Sequence, residues 1–264
     1  MAKQEGFGMI VGTIGGLTFY KRGGKYLVRE AVHAKGKAVW TEEGLARRDE
    51  NAMEFKLATH HSWGIRTALK SLVYGIMDGG NSGRLSGKLY SCIKTNPVGL
   101  RGQRKLHPAT LAGFLEGHEF NSRSLLPVNF DLYESGGLSV NLDRVSGVAM
   151  VTWAAHDSMT DINAPGLADR YQFVVGVAWW DGTEEDVQGS VKCGWRGHWA
   201  EGSPLTPEGG IVAATNLNCY FPACFAGLLV VVAGIRYWKD DGTADGFWLR
   251  RQSCLRVVKV ASAP

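Results

Sequence analysis

Two histidine positions have the neighbours that acid–base or metal chemistry requires. His60 and His61 stand in a stretch of helical periodicity, with Glu54 and Arg66 about a turn away. A zinc helix of the His-Glu-x-x-His type sets its histidines four residues apart, so that both point to one face. Adjacent helical residues diverge by about 100° and do not chelate one ion readily. The pair therefore reads as a surface or interface pair. His118-Glu119 is the other histidine beside a carboxylate. With Asp131 or Glu134 it could form an acid–base pair in a cleft, against the plainer reading of packing or hydrogen bonding at a hinge. There is no Gly-x-Ser-x-Gly elbow, so no catalytic residue is assigned and the chain does not read as an enzyme.

The remaining chemistry-bearing patterns are weaker. Gly12, Gly15 and Gly16 invite comparison with a phosphate loop, but the Gly-Lys-Ser/Thr ending and a preceding buried strand are both missing. The turns 181–186 and 240–245 are rich in acidic oxygens, yet neither follows the twelve-residue calcium order with its terminal glutamate, and they read as solvated hairpin tips. Cys92, Cys193, Cys219, Cys224 and Cys254 form no C-x-x-C pair and read as free thiols; no metal site and no cofactor is expected. Nine tryptophans are present, eight of them at or after Trp63. On alternating strands about half of these face a core, while Trp195-Arg196-Gly197-His198-Trp199, in a glycine-rich stretch, reads as exposed. Trp195, Arg196 and Trp199 are thus the candidate contacts for a ligand or partner.

The element most sharply written is at the start. Residues 17–20 and 25–29 are β-prone runs joined by Lys21-Arg22-Gly23-Gly24, and paired glycines supply the positive φ of a tight hairpin. Residues 41–77 carry apolar residues at helical spacing, with Thr41 as cap, Glu42 and Glu43 in the first turn, and Gly64 as a kink or a break between two helices. Ser82 caps a further helix that ends at Asn96-Pro97, and residues 97–110 read as an exposed basic loop. Beyond Ser124 the period becomes alternating. Strands are predicted at 128–133, 138–142, 148–154, 171–180, 187–193, 210–216, 228–238 and 247–260. The fold class is therefore α+β: a β-hairpin arm (1–36), a small helical region (37–120) and a C-terminal immunoglobulin-like β-sandwich (121–264).

This order resembles a family of uncharacterised proteins from Bacteroidota. In these, a Gly-x-x-Gly-x-x-x-x-Tyr-x-x-x-Gly-Lys-x-x-x-Arg hairpin precedes an arginine- and glutamine-rich helix and an immunoglobulin-like domain. The matching positions are Gly12, Gly15, Tyr20, Gly24, Lys25 and Arg29, then Arg47, Arg48 and Phe55. Val39-Trp40-Thr41-Glu42 stands where the family has Asn-Pro-Arg-Thr. The resemblance implies the architecture and carries no activity.

Charge is split along the chain. Residues 1–110 hold 18 lysines and arginines against 8 acidic residues, and residues 111–264 hold 11 against 17, giving +10 and −6. A hairpin pair is marginal alone in water and must pack on something. Together these features predict a self-assembling structural protein such as a virion, tail or filament subunit. Its arm would dock head-to-tail on another copy through Phe19, Tyr20, Tyr26, Leu27 and Arg29, with other assembly subunits as further partners. Binding of glycan or a surface protein by the tryptophans is one alternative. Nucleic-acid binding by the basic half and the Arg101–Lys105 loop is the other, and is less favoured. No membrane partner is expected, because the apolar run 223–235 is short and broken by Gly227 and Gly234. The polar N-terminus, with Lys3 and Glu5, predicts cytoplasmic synthesis without a secretory signal and a final place in a virion or extracellular assembly.

Overall fold

Glycines set the backbone of the first sheet. In this computed structural model, which describes residues 2–3, 10–31, 42–187, 190–241 and 246–262, Gly23 and Gly24 both take positive φ (58° and 78°). That geometry suits a two-residue turn whose twist matches the flanking strands. Four strands follow: β1 (Ala2–Lys3), β2 (Gly12–Ile14), β3 (Leu17–Arg22) and β4 (Lys25–Glu30), in the order β1-β4-β3-β2. Gly15 (φ 57°) turns β2 into β3, so the glycines compared with a phosphate loop are hairpin glycines. The chain divides into two compact units, Met1–Ala46, which holds this sheet, and Arg47–Pro264.

Among the described residues five helices follow: α1 (Glu42–Ala68), α2 (Lys70–Ile76), α3 (Asn81–Thr95), α4 (Pro108–Leu115) and the short α5 (Leu126–Asn129). The 41–77 stretch is thus two helices, and the break falls at Leu69, not at Gly64, which lies inside α1. The Thr41 cap lies outside the described residues. At α3 the expected Ser82 cap gives way to a start at Asn81 behind Gly80, with no side-chain cap bond.

The strand-rich part has β5 (Leu138–Asp143), β6 (Val148–Trp153), β7 (His156–Asp157), β8 (Arg170–Trp180), β9 (Glu184–Val187), β10 (Ser190–Cys193), β11 (Arg196–Glu201), β12 (Ile211–Val212), β13 (Thr215–Tyr220), β14 (Leu228–Lys239), β15 (Phe247–Trp248) and β16 (Cys254–Ala261). The larger sheet runs β11-β8-β14, with β16 and β15 both on the far side of β14; the smaller runs β13-β6-β5. Two-stranded pairs β9–β10 and β7–β12 complete it. All of the pairs are antiparallel. The expected strand at 128–133 is instead α5 and a turn, because Pro127 opens a helical turn whose Asn129 side chain bonds back to the Leu125 carbonyl (2.7 Å). The strand expected at 187–193 is the β9–β10 hairpin.

Alternation sorts the larger sheet's side chains to two cores. Phe173, Val175 and Val177 on β8, with Leu229, Val231, Ala233 and Ile235 on β14, meet Ala149, Val151 and Trp153 of β6 and Leu217 and Cys219 of β13. Trp153 stacks on Phe173 there at 4.1 Å. From the opposite face, Val174, Ala178 and Trp180, with Leu228, Val230 and Val232, pack under Ile65, Leu69, Leu72, Val73 and Ile76 and under α3 and α4. A bulge between Val231 and Val232 lets Val257 and Val260 of β16 both reach this second core. The helical stretch and the strand-rich stretch, expected as separate regions meeting at 120/121, therefore share a core within one compact unit.

Candidate functional site

Register decides what the N-terminal sheet presents. Residues directly opposed in an antiparallel pair project to the same face. Ile14 opposes Leu17, Leu17 opposes Glu30, Phe19 opposes Val28 and Lys21 opposes Tyr26, so Ile14, Leu17, Phe19, Tyr26 and Val28 share one mainly apolar face, with Lys21 and Glu30 at its ends. Thr13 opposes Thr18, Thr18 opposes Arg29, Tyr20 opposes Leu27 and Arg22 opposes Lys25, making a mixed and basic second face. Ring contacts follow the same division: Lys21 Nζ lies 5.0 Å from the Tyr26 centroid, and the Arg29 guanidinium 5.5 Å from that of Tyr20. None of residues 10–31 is buried, and on the apolar face Ile14 is 59% and Leu17 44% exposed.

The five residues expected to act together are thereby divided. Phe19 and Tyr26 share the apolar face; Tyr20, Leu27 and Arg29 lie on the other. Ile14, Leu17 and Val28 complete the apolar face and escaped notice in the sequence. The signal was available, since the two-glycine turn fixes the register and the register fixes the face.

The tryptophan candidate is corrected. Trp195 is buried at 8% exposure, because Gly64 of α1 opens a slot in which a Cβ would collide with the indole. Its Nε1–H donates to His61 Nδ1 (3.0 Å), so His61 carries its proton on Nε2 and donates to Glu184 Oε1 (3.3 Å). His61 is itself fully buried, against the surface or interface role expected for the pair, and burial lowers its pKa despite Glu184. Glu184 in turn meets Lys105 (3.2 Å). The strand carrying Trp195's neighbours is also corrected, since Arg196–Glu201 is β11 and not a turn region. Arg196 and Trp199 are exposed as expected, Trp199 at 37% on the edge of the helix-covered face with its ring 5.8 Å from the Arg236 guanidinium.

His118 and Glu119 do not act as a pair. His118 Nε2 bonds Asn81 Oδ1 (2.9 Å), and burial, with Lys88 and Arg84 nearby, lowers its pKa to about 4. Glu119 Oε1 accepts from Arg256 (2.8 Å) and from the Leu126 N–H (3.2 Å), while burial pushes its pKa up to about 7. Neither Asp131 nor Glu134 joins them; Asp131 Oδ1 accepts from Asn163 Nδ2 at 2.6 Å. These groups clasp the 117–120 turn to β16, where Phe120 N–H bonds Leu255 O and Val257 N–H bonds His118 O.

The basic loop is likewise engaged. Arg104 forks onto Glu54 (2.7 and 2.8 Å), Gly102 N–H bonds the same carboxylate (2.8 Å), and Arg101 reaches Glu50 and Asn51. Its cations are thus paired with carboxylates, which weakens the loop as a nucleic-acid contact. At the acidic tips, Asp181 Oδ1 accepts from the backbone N–H and the hydroxyl of Thr183; residues 242–245 of the other tip lie outside the described residues. Among the described residues, no helix is long and apolar enough to cross a membrane. Comparison of the chain with protein-family models, curated proteins and solved structures finds no match to any of them.

Proposed function

We propose that the chain is a self-assembling structural subunit, of the virion, tail or filament kind, which joins the next copy through its N-terminal sheet. The observation that carries this reading is the apolar face of Ile14, Leu17, Phe19, Tyr26 and Val28 on a sheet in which none of residues 10–31 is buried. Such a sheet gains stability by covering that face, and each large apolar side chain buried contributes about 1.5–3 kcal/mol at most. The occupant is a second copy. Arg22, Lys25 and Arg29 make the other face basic, and residues 111–264 of the neighbouring copy carry a net −6. A contact of unlike surfaces propagates head-to-tail into rings or open filaments.

The strand orders support the companion reading of the C-terminal part as an immunoglobulin-like sandwich. β5-β6-β13 follows the A-B-E order, and β11-β8-β14-β16 follows a C′-C-F-G order.

Light scattering on the full chain tests the proposal. Large particles are expected for the wild type, and a soluble monomer when residues 1–30 are deleted or when Leu17→Asp and Phe19→Asp are combined. Particles of unchanged mass in both variants would overturn it, as would a wild-type monomer at every concentration reached.

A further inference from the structure

Arg123, Arg250 and Arg251 line one cavity of about 280 Å³, and among the described residues none of the three forms an ion pair with a carboxylate. Each is exposed at its rim. Their backbones are pinned by bonds inside the walls. Asn121 Nδ2 donates to the carbonyls of Arg251 (3.0 Å) and Ser253 (2.9 Å), its Oδ1 accepts from the Arg123 N–H (3.1 Å), and the Ser124 hydroxyl bonds the Gln252 carbonyl. Asp78, the carboxylate in the same wall, is already committed. Arg84 forks onto it (2.9 Å twice), and the Gly80 N–H and the Ser122 N–H and hydroxyl complete its bonds. The cavity is therefore cationic.

Arg250 and Arg251 also line a second cavity, of about 630 Å³, whose wall is aromatic: Trp238, Phe247 and Trp248. Phe247 is 62% exposed, Trp238 and Trp248 stack at 5.8 Å, and the Arg250 guanidinium sits 5.4 Å from the Trp248 centroid. Two cavities that share two arginines, one side cationic and the other aromatic, match a ligand with an anionic end and a flat ring. Arginine forks grip phosphate oxygens in pairs, and nucleobases stack on aromatic rings whatever their sequence. The volumes lie close to the range usual for small-molecule sites, roughly 300–1,000 Å³.

We propose that these adjoining cavities bind a nucleoside phosphate, free or within a single strand. Its phosphate lies on Arg123, Arg250 and Arg251, and its base against Phe247 and the Trp238–Trp248 stack. This site is independent of the N-terminal sheet and stands or falls separately from assembly.

Isothermal titration of the full chain with ADP, a 5′-phosphorylated oligothymidylate and inorganic pyrophosphate, at about 50 mM salt, tests it. Saturable binding of ADP or the oligonucleotide is expected. The combined Arg123→Ala, Arg250→Ala and Arg251→Ala variant should weaken it at least about tenfold. Phe247→Ala should weaken the nucleotide-bearing ligands while leaving pyrophosphate unchanged. Tighter binding of the oligonucleotide than of ADP would identify the source as a strand, and the reverse a free nucleotide. The proposal is overturned if the wild type binds neither ADP nor the oligonucleotide. It is also overturned if the triple-arginine variant binds as wild type does, or if Phe247→Ala leaves ADP binding unchanged. The exposed positions of these side chains leave the fold intact, which an unchanged unfolding midpoint checks.

Discussion

One substitution, glycine to alanine, should have opposite effects at two helical sites. Gly75 of α2 lies flat against Trp248, and a Cβ there would fall inside the indole, with the three nearest ring atoms all closer than 3.0 Å. Trp248 has little freedom to withdraw. Its Nε1–H bonds Ser253 Oγ (3.0 Å), Trp238 stacks on it at 5.8 Å and the Arg236 guanidinium lies 4.6 Å from its centroid. Overpacking of this kind costs about 1–3 kcal/mol, and losing the indole hydrogen bond about 1 kcal/mol more. The better helix propensity of alanine offsets about 0.8–1 kcal/mol of that. Gly75→Ala should therefore destabilise by roughly 1–3 kcal/mol. At Gly87 of α3 no heavy atom lies within 4 Å of the added methyl, so only the propensity gain remains, about 0.5–1 kcal/mol of stabilisation. Urea unfolding followed by fluorescence reads both as shifts of midpoint at constant slope. If Gly75→Ala is as stable as wild type or more stable, the docking of α2 on Trp248 is wrong.

Other consequences follow from the buried polar groups. Glu54→Ala removes the carboxylate that holds Arg104 and the Gly102 N–H, and should cost about 3–5 kcal/mol while opening residues 98–106 to proteolysis. Trp195→Phe leaves His61 Nδ1 without its donor, and a loss of about 1–3 kcal/mol is expected from the unfolding midpoint. His118, held at about 4 by burial, stays neutral in the folded chain but charges in the unfolded chain below about 6.5. Its share of stability is whole above pH 6.5 and is lost as pH falls toward 4, by about 3 kcal/mol. Glu119, raised to about 7 by burial, opposes it: its share is whole below pH 4.5 and is lost as pH rises through 7, by a similar amount. In His118→Gln the slope from Glu119 is less opposed, so the midpoint at pH 5 relative to that at pH 7 should be higher than in the wild type.

What could be read from the sequence was what short-range geometry decides. The Gly23-Gly24 turn needs positive φ at both positions, and this made the hairpin legible. The end of α3 at Asn96-Pro97 was legible for the same local reason. Elements imposed from a distance were not. β11 contains Gly197, His198 and Trp199 and has no strand signature; it is extended because β8 pairs with it along its whole length. Gly197 is required there because a side chain would meet the Ala68 carbonyl at the end of α1. The burial of Trp195 depends likewise on Gly64, far away in sequence. A glycine-rich neighbourhood was taken to mean exposure, whereas each of these glycines marks a place where another element comes close.

The longest strands contained a stronger signal than the alternation expected of them. A strand in a two-layer sandwich has one wet face and should alternate, but β8 is buried from Tyr171 to Ala178 and β14 from Leu228 to Tyr237 without interruption. Their sequences read the same way, as unbroken apolar runs through Val174–Ala178 and Leu228–Ile235. A strand buried on both faces needs a layer on each, and the only long apolar helical stretch upstream was 65–76. Gly176, in the middle of β8, gives the place of contact, because a Cβ there would press on Leu69 and Leu72 at 2.9 and 2.8 Å. The helices are thus a structural layer of the same body as the strands, and His61, His118 and Arg84 are committed to holding it. The N-terminal sheet differs from this body in having no buried residue among 10–31.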